Sequence, residues 1–278
     1  MMKIGEYNQV GIVNLTETAC FLDAGGDADI YMPVDEVPEG RVKGDRIQVF
    51  LYSATKDEVR ATTVRPYAVM GDFAALEVTD STSFGLFLDW GLPKDLFVPT
   101  RNLRAELQPG DIAVVKVVHD YEGSGVMGTC IFDELFEDDF SSLQPNMKVE
   151  LLVYGISGLG AKVIIDNRFQ GLLYRNEIFE KLRIGDNHTG YIKKIREDGL
   201  IDAALQPQGF FAATKEARTV ILEALEDSDG FLPIHDKSSA DEINSTLCMS
   251  KKVFKKTIGG LYKEKKITIE TDGIRLLH

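Results

Sequence analysis

The side chains that could carry out a reaction show no spacing in this sequence that marks a reaction centre. The four histidines, His119, His188, His235 and His278, show no metal-ligand spacing. Cys20, Cys130 and Cys248 lie far apart, so neither a disulfide framework nor a metal knuckle is written in the chain. The glycine-rich GISGLGAK (155–162) ends in lysine but lacks the long loop and following Ser/Thr of a phosphate-binding motif. Asp133, Glu134, Glu137, Asp138 and Asp139 form an acidic run without a calcium-loop pattern; beside Phe132, Leu135 and Phe136 they read as a solvated linker with apolar anchors. No nucleophile–base–orienter set stands out. The expectation is a protein that is not an enzyme and needs no cofactor.

Rings and cations at matching positions offer a different chemistry, that of holding a nucleic acid strand. FGLFLDWGLPKDLFVP (84–99) spends three phenylalanines and the only tryptophan on sixteen positions. A shift of 66 residues lays TACFLDAGGDADIYMP (18–33) beneath it without a gap, and carries Gly44–Asp45 onto Gly110–Asp111 and Gly5 onto Gly71. A further shift of 75 takes Gly110–Asp111 to Gly185–Asp186 and Gly85 to Gly160. The chain therefore contains three copies of one unit. Each has five short strands with regular turn residues, a pattern that fits a small closed barrel better than a sheet with raw edges.

Strand alternation sorts the residues of each copy's second strand into two faces. Cys20 and Leu22, Leu86 and Leu88, and Ala161 and Val163 fall on one side, all apolar as a core requires. The slot between them holds Phe21, Phe87 and Lys162. A core does not accept an unpartnered lysine, so this slot is expected to face outward in all three copies. Ring, ring and cation can all engage a single strand, the rings by stacking and the lysine on phosphate. Packing against a neighbouring domain is the alternative use of the rings. Phe84 is out of step with Phe87 and joins its surface only if Gly85 permits a bulge; otherwise it belongs to the core. Tyr31, Phe97 and Leu172 fit either side.

Copy three concentrates basic groups. Lys162, Arg168, Tyr174 and Arg175 lie on or beside its second and third strands, and Lys193, Lys194 and Arg196 on its long fourth strand. Alternation places Lys194 and Arg196 on one face with Ile195 opposite. The net charge of −13 divides into −4 over residues 1–70, −10 over 71–146, +1 over 147–210 and 0 over 211–278. Any polyanion should favour the C-terminal half, and copy two has rings without the charge to support them.

From Thr214, a plausible N-cap, the period becomes helical. Val220, Ile221 and Leu225 line one side of a first helix, Ser239 and Glu242 have capping-box spacing before a second, and Ser250 caps a third with Phe254, Ile258 and Leu261 inward. Lys251, Lys252, Lys255 and Lys256 surround that third helix, and Lys263, Lys265 and Lys266 follow in the same basic patch. KKITIE and IRLL pair across an Asp–Gly turn. Three helices and a terminal hairpin make a winged helix. Its third helix lacks the arginine, asparagine and glutamine that read base edges best, which suits grip on phosphate without sequence selection. A dimerisation or docking module with solubilising lysines is the alternative.

SFGLFLDWGLPKDLFVPTRNL and GLGAKVIIDNRFQGLLYRNEI resemble the RNA-binding barrel of ribosomal protein S-one, an oligonucleotide-binding (OB) fold module. Three such modules before a winged helix resemble the conserved virulence factor B family of bacterial RNA-binding proteins along essentially the whole chain. The resemblance implies a mainly β fold: OB-fold barrels at 1–66, 67–140 and 145–210, and an α+β winged helix at 211–278. It implies an RNA-binding face that includes Phe84 and Phe87 in copy two, Phe21 in copy one, and Lys162 and Tyr174 in copy three. Pro33 and Pro99 replace the module's usual histidine, which removes a hydrogen bond from copies one and two. The expected partner is single-stranded RNA, with duplex contact through the winged helix and a post-transcriptional role. The alternative is a scaffold or DNA-associated regulator whose barrels hold a protein. No apolar run is long enough to cross a bilayer and the first residues lack a signal peptide's apolar stretch, so no membrane partner and a cytoplasmic location are expected.

Overall fold

The structure is a computed structural model. It describes residues 2–277 except 24, 26–28, 56–57, 121–124, 179–180 and 208–213, with the side chains of 214–216 also left aside. The chain divides into two compact units, Met1–Phe136 and Glu137–His278.

In the first unit, β1 (Tyr7–Leu15), β2 (Ala19–Asp23), β3 (Ile30–Pro33), β4 (Arg46–Ser53) and β5 (Val59–Thr62) close a barrel in the order β1-β2-β3-β5-β4. β6 (Phe73–Thr82), β7 (Gly85–Asp89), β8 (Leu96–Pro99), β9 (Ile112–His119) and β10 (Val126–Thr129) repeat the order as a five-stranded sheet, β10-β9-β6-β7-β8. In the second unit, β11 (Lys148–Ser157), β12 (Gly160–Ile165), β13 (Phe169–Tyr174), β14 (Asn187–Ile195) and β15 (Ile201–Ala204) close a barrel again.

The landmarks that repeat in sequence have one structural cause. Gly44, Gly110 and Gly185 adopt φ of +97°, +92° and +95°. Their amides donate to Ile12, Val78 and Val153, and the amides of those three residues donate back to Asp45, Asp111 and Asp186. The same aspartates cap their own turns by accepting from the amides of Val42, Gln108 and Arg183. Each first strand carries a bulge immediately after this anchor, at Ile12/Asn14, Val78/Asp80 and Val153/Gly155. Bulge and anchor together bend the strand so that it can pair on both sides of a small barrel.

The second copy departs from the expected closed barrel in one detail. β3 and β5, and β13 and β15, are joined by parallel pairing, but β8 and β10 form no such ladder. Gly128 of β10 instead sits against the side chains of Val98 and Leu96. The closing backbone bond comes beyond both strands, from the Cys130 amide to the Asn102 carbonyl at 2.9 Å. Trp90 is 2 % exposed and belongs to this copy's core, where it meets Phe50 edge-on at 5.8 Å. Two of the three expected linker anchors, Phe132 and Phe136, pack on Phe73, each at 5.2 Å, whereas Leu135 is exposed.

The chain ends with α1 (Thr214–Asp227), β16 (Phe231–Leu232), α2 (Ala240–Leu247), α3 (Lys251–Lys263), β17 (Ile267–Ile269) and β18 (Ile274–Leu276). Ile221, Leu225, Ile243, Leu247, Phe254, Ile258 and Leu261 form one core. Val220 does not join it: one position before Ile221 on a helix, it is turned about 100° away and is exposed. Ser239 and Glu242 make a full capping box, and Ser250 accepts from the Val253 amide at α3. The Thr214 side chain, a candidate N-cap, lies outside the described residues. No helix among the described residues is long and apolar enough to cross a membrane.

Candidate nucleic-acid interface

The repeated outward slot is present in all three copies. Cys20, Leu22, Leu86, Leu88, Ala161 and Val163 are buried, whereas Phe21 and Phe87 are half-buried and Lys162 is exposed. What surrounds the slot differs from copy to copy.

In the first barrel Phe21 pairs across the ladder with Tyr31, their rings edge-to-face at 6.4 Å. Tyr31 in turn pairs with Arg60 on β5, whose guanidinium lies 5.4 Å from the Tyr31 ring centre. Arg60 donates to Glu58 at 2.8 Å, and this bond raises its pKa further, so it stays cationic. Two rings and a guanidinium thus share one outer surface. Strand alternation allows Tyr31 on either side, and no spacing points to Arg60, because β5 is four residues long and meets β3 only through barrel closure.

In the second copy Phe87 pairs with Phe97, the rings 5.2 Å apart and tilted by 44°. Phe84 is neither core nor part of that pair. It stands in the turn before β7, 79 % exposed. Gly85 is required there for another reason: at φ +156° its backbone passes so near the Val98 carbonyl that a Cβ would lie 2.1 Å from the oxygen. Gly160 holds the same place in the third barrel, at φ +147° and 1.9 Å from the Leu173 carbonyl. The bulge itself lies on β6.

The third barrel brings together some of its basic residues and separates others. Tyr174 sits at the end of β13, opposite Gly160, and its hydroxyl contacts Arg196. Arg196 is held by Asp202, with Nε to Oδ1 at 2.8 Å, and its guanidinium lies 5.8 Å from the Tyr174 ring. Ile195 packs toward the core, and Lys194, on the face opposite, is exposed. A bulge at Ile192/Lys194 brings Lys193 to the outer side as well, where it lies 5.8 Å from the Tyr174 ring and pairs with Glu177. Lys162 and Arg175 are exposed on the same hairpin end as Tyr174. Arg168 is at the other end of that hairpin. It makes a two-point ion pair with Glu137, at 2.9 and 2.5 Å, and covers Phe169.

On the winged helix, Lys252, Lys255, Lys256 and Lys263 are exposed along α3, and Lys265 and Lys266 are exposed just beyond it. Lys251 is half-buried and reaches the Lys237 carbonyl at 3.4 Å. Lys252, Lys256, Gly259 and Lys263 follow helical spacing, so they form one stripe, with Tyr262 exposed at its edge. Arg218 on α1 is paired with Glu264 and does not add to that stripe.

Comparison with known proteins agrees with this architecture. The family described as an S1 domain matches residues 4–64, and the family described as a CvfB-like winged helix domain matches residues 219–276. The uncharacterized protein YitL of Bacillus subtilis (strain 168) is 29 % identical over 274 residues, covering 96 % of this chain and 91 % of the relative. Conserved virulence factor B of Staphylococcus aureus (strain USA300) is 27 % identical over 241 residues, covering 84 % and 80 %. A solved multidomain protein with nucleic acid binding domains from Streptococcus pneumoniae TIGR4 is 26 % identical, covering 99 % of this chain and 98 % of that one, with a TM-score of 0.48. An S1 domain and a winged helix on one chain support a nucleic-acid-binding role, and that is the class of protein the fold defines. Along most of its length the chain is similar to proteins named conserved virulence factor B and YitL, and it carries a CvfB-like winged helix domain.

Proposed function

We propose that this chain is a non-catalytic cytoplasmic protein that binds single-stranded RNA and acts after transcription. The observation that carries the reading is the outward slot of the barrels, where rings and a cation replace one another over an inner pattern of apolar residues repeated in all three copies. On this reading Lys162, Tyr174, Arg175 and Lys194 of the third barrel and the lysines of α3 form the main surface, and Arg196, held by Asp202, positions the Tyr174 hydroxyl. Phe21, Tyr31 and Arg60 supply a smaller stacking site on the first barrel. Arg168 contributes through the fold, because Glu137 already occupies its guanidinium.

Filter binding of single-stranded RNA, duplex RNA and duplex DNA at two salt concentrations tests the reading. Single-stranded RNA should bind tightest and lose affinity steeply with salt. A chain that prefers duplex DNA, or binds no RNA at low salt, overturns it. The exposed lysine stripe on α3 favours a second reading, a scaffold that touches DNA through the winged helix; preference for duplex DNA in the same assay is its signature.

A further inference from the structure

The strands that carry the second barrel's rings carry no cation. β6, β7 and β8 contain neither lysine nor arginine, whereas Glu77 and Asp80 lie on β6, Asp89 on β7, and Asp95 immediately before β8. Register sets them in adjoining outer rows: Asp80 opposite Phe87 opposite Phe97, and Glu77 opposite Asp89. The intervening Val78, Leu86, Leu88, Leu96 and Val98 are all buried, so the rows look outward. The Thr79 hydroxyl lies 2.7 Å from Asp95 Oδ2 and 3.0 Å from the Phe87 carbonyl, which fixes that carboxylate beside the ring-bearing strand. Lys94, next to Asp95 in sequence, turns its ammonium away to the Ser53 carbonyl at 2.6 Å. Phe84 stands in the turn between β6 and β7, at the end of these strands, 79 % exposed.

A sheet face with these groups is poorly suited to phosphate. An RNA strand stacked on Phe87 and Phe97 would bring its backbone among four carboxylates, within a stretch whose net charge is −10 over residues 71–146. The same groups suit a cationic side chain on both counts. A guanidinium or ammonium is attracted to aromatic faces and forms charge-assisted hydrogen bonds to carboxylates, and a guanidinium can also stack flat on a ring. We propose that the outer face of the second barrel docks an arginine- and lysine-rich segment of a partner protein. The inference does not depend on RNA binding by the other domains: it assigns this copy a different kind of ligand from the one its rings suggested.

The test uses the full chain and a fluorescein-labelled peptide of alternating arginine and glycine, with a glutamate–glycine peptide and a labelled oligouridylate as comparisons. Fluorescence anisotropy should show the arginine peptide binding and the glutamate peptide not. In Glu77→Gln/Asp80→Asn its affinity should fall about tenfold, and in Phe84→Ser severalfold, with oligouridylate binding unchanged in both. Peptide affinity equal to the parent chain's in both variants overturns the proposal. So does a severalfold loss of oligouridylate binding in Phe84→Ser, which would make this face a nucleic acid surface. Glu77, Asp80 and Phe84 are all exposed, and Phe84→Ser decides alone if the double variant fails to fold.

Discussion

In the third barrel the outward slot holds a lysine where the other two copies hold a ring. Lys162→Glu puts the opposite charge where Phe21 and Phe87 stand in the other copies, on a surface and not in a core. RNA affinity should drop about fivefold to tenfold while the melting temperature stays unchanged, which filter binding and thermal denaturation would show. Gly160→Ala is the contrasting case. The new Cβ would fall 1.9 Å from the Leu173 carbonyl, so strand pairing must yield and stability should fall by about 3 kcal/mol. Thiol chemistry separates the cysteines in the same way. Cys20 and Cys130 are buried, with burial pushing the Cys130 thiol up to about 11, while Cys248 is exposed. Titration of the native chain with a thiol reagent should modify Cys248 quickly and the other two only after unfolding.

Within the elements, alternation and helical period made the inner faces legible. The buried pairs of each second strand and the core of α3 follow from spacing alone. The irregularities were what spacing concealed. A bulge in β14 carries Lys193 to Tyr174, and barrel closure brings Arg60 of β5 to Tyr31 of β3; neither event leaves a periodic trace. Partnerships were hidden too, since nothing in the sequence shows that Glu137 takes Arg168 or that Asp202 takes Arg196. Helix α3 contains a further irregularity, because a Cβ added at Gly259 or Gly260 meets nothing within 4 Å. Packing therefore does not require glycine at either place, and Gly259→Ala and Gly260→Ala should each stabilise the winged helix by about 0.5–1 kcal/mol, readable as a higher melting temperature. At α2, the Ser239 amide and hydroxyl hold the Glu242 carboxyl below its usual range. A lowered folded-state pKa means that the capping box stabilises above the unfolded carboxylate pKa and fades as pH falls through the folded value. Glu242→Ala should therefore lower the melting temperature at neutral pH and less in acid, whereas Ser239→Ala, which keeps the backbone amide, should cost about 1 kcal/mol at either pH.

For the whole molecule, the total of −13 says less than its distribution. The stretch at 71–146 repels polyanions while the lysines of α3 attract them, so bound RNA should be confined to part of the chain. With about five phosphates engaged, a plot of log affinity against log salt should have a slope of about −3.5, and replacing Lys252, Lys256 and Lys263 together should flatten it by about 2. The three barrels also differ in how they are sealed. Two are stitched by parallel amide–carbonyl pairs, while the second meets along β8 and β10 through Val98, Leu96 and the bare backbone of Gly128. A seam of that kind has no ladder to unzip before deuterium enters. Its flanking amides should exchange ahead of their counterparts at the β13–β15 junction, making the middle module the first to breathe.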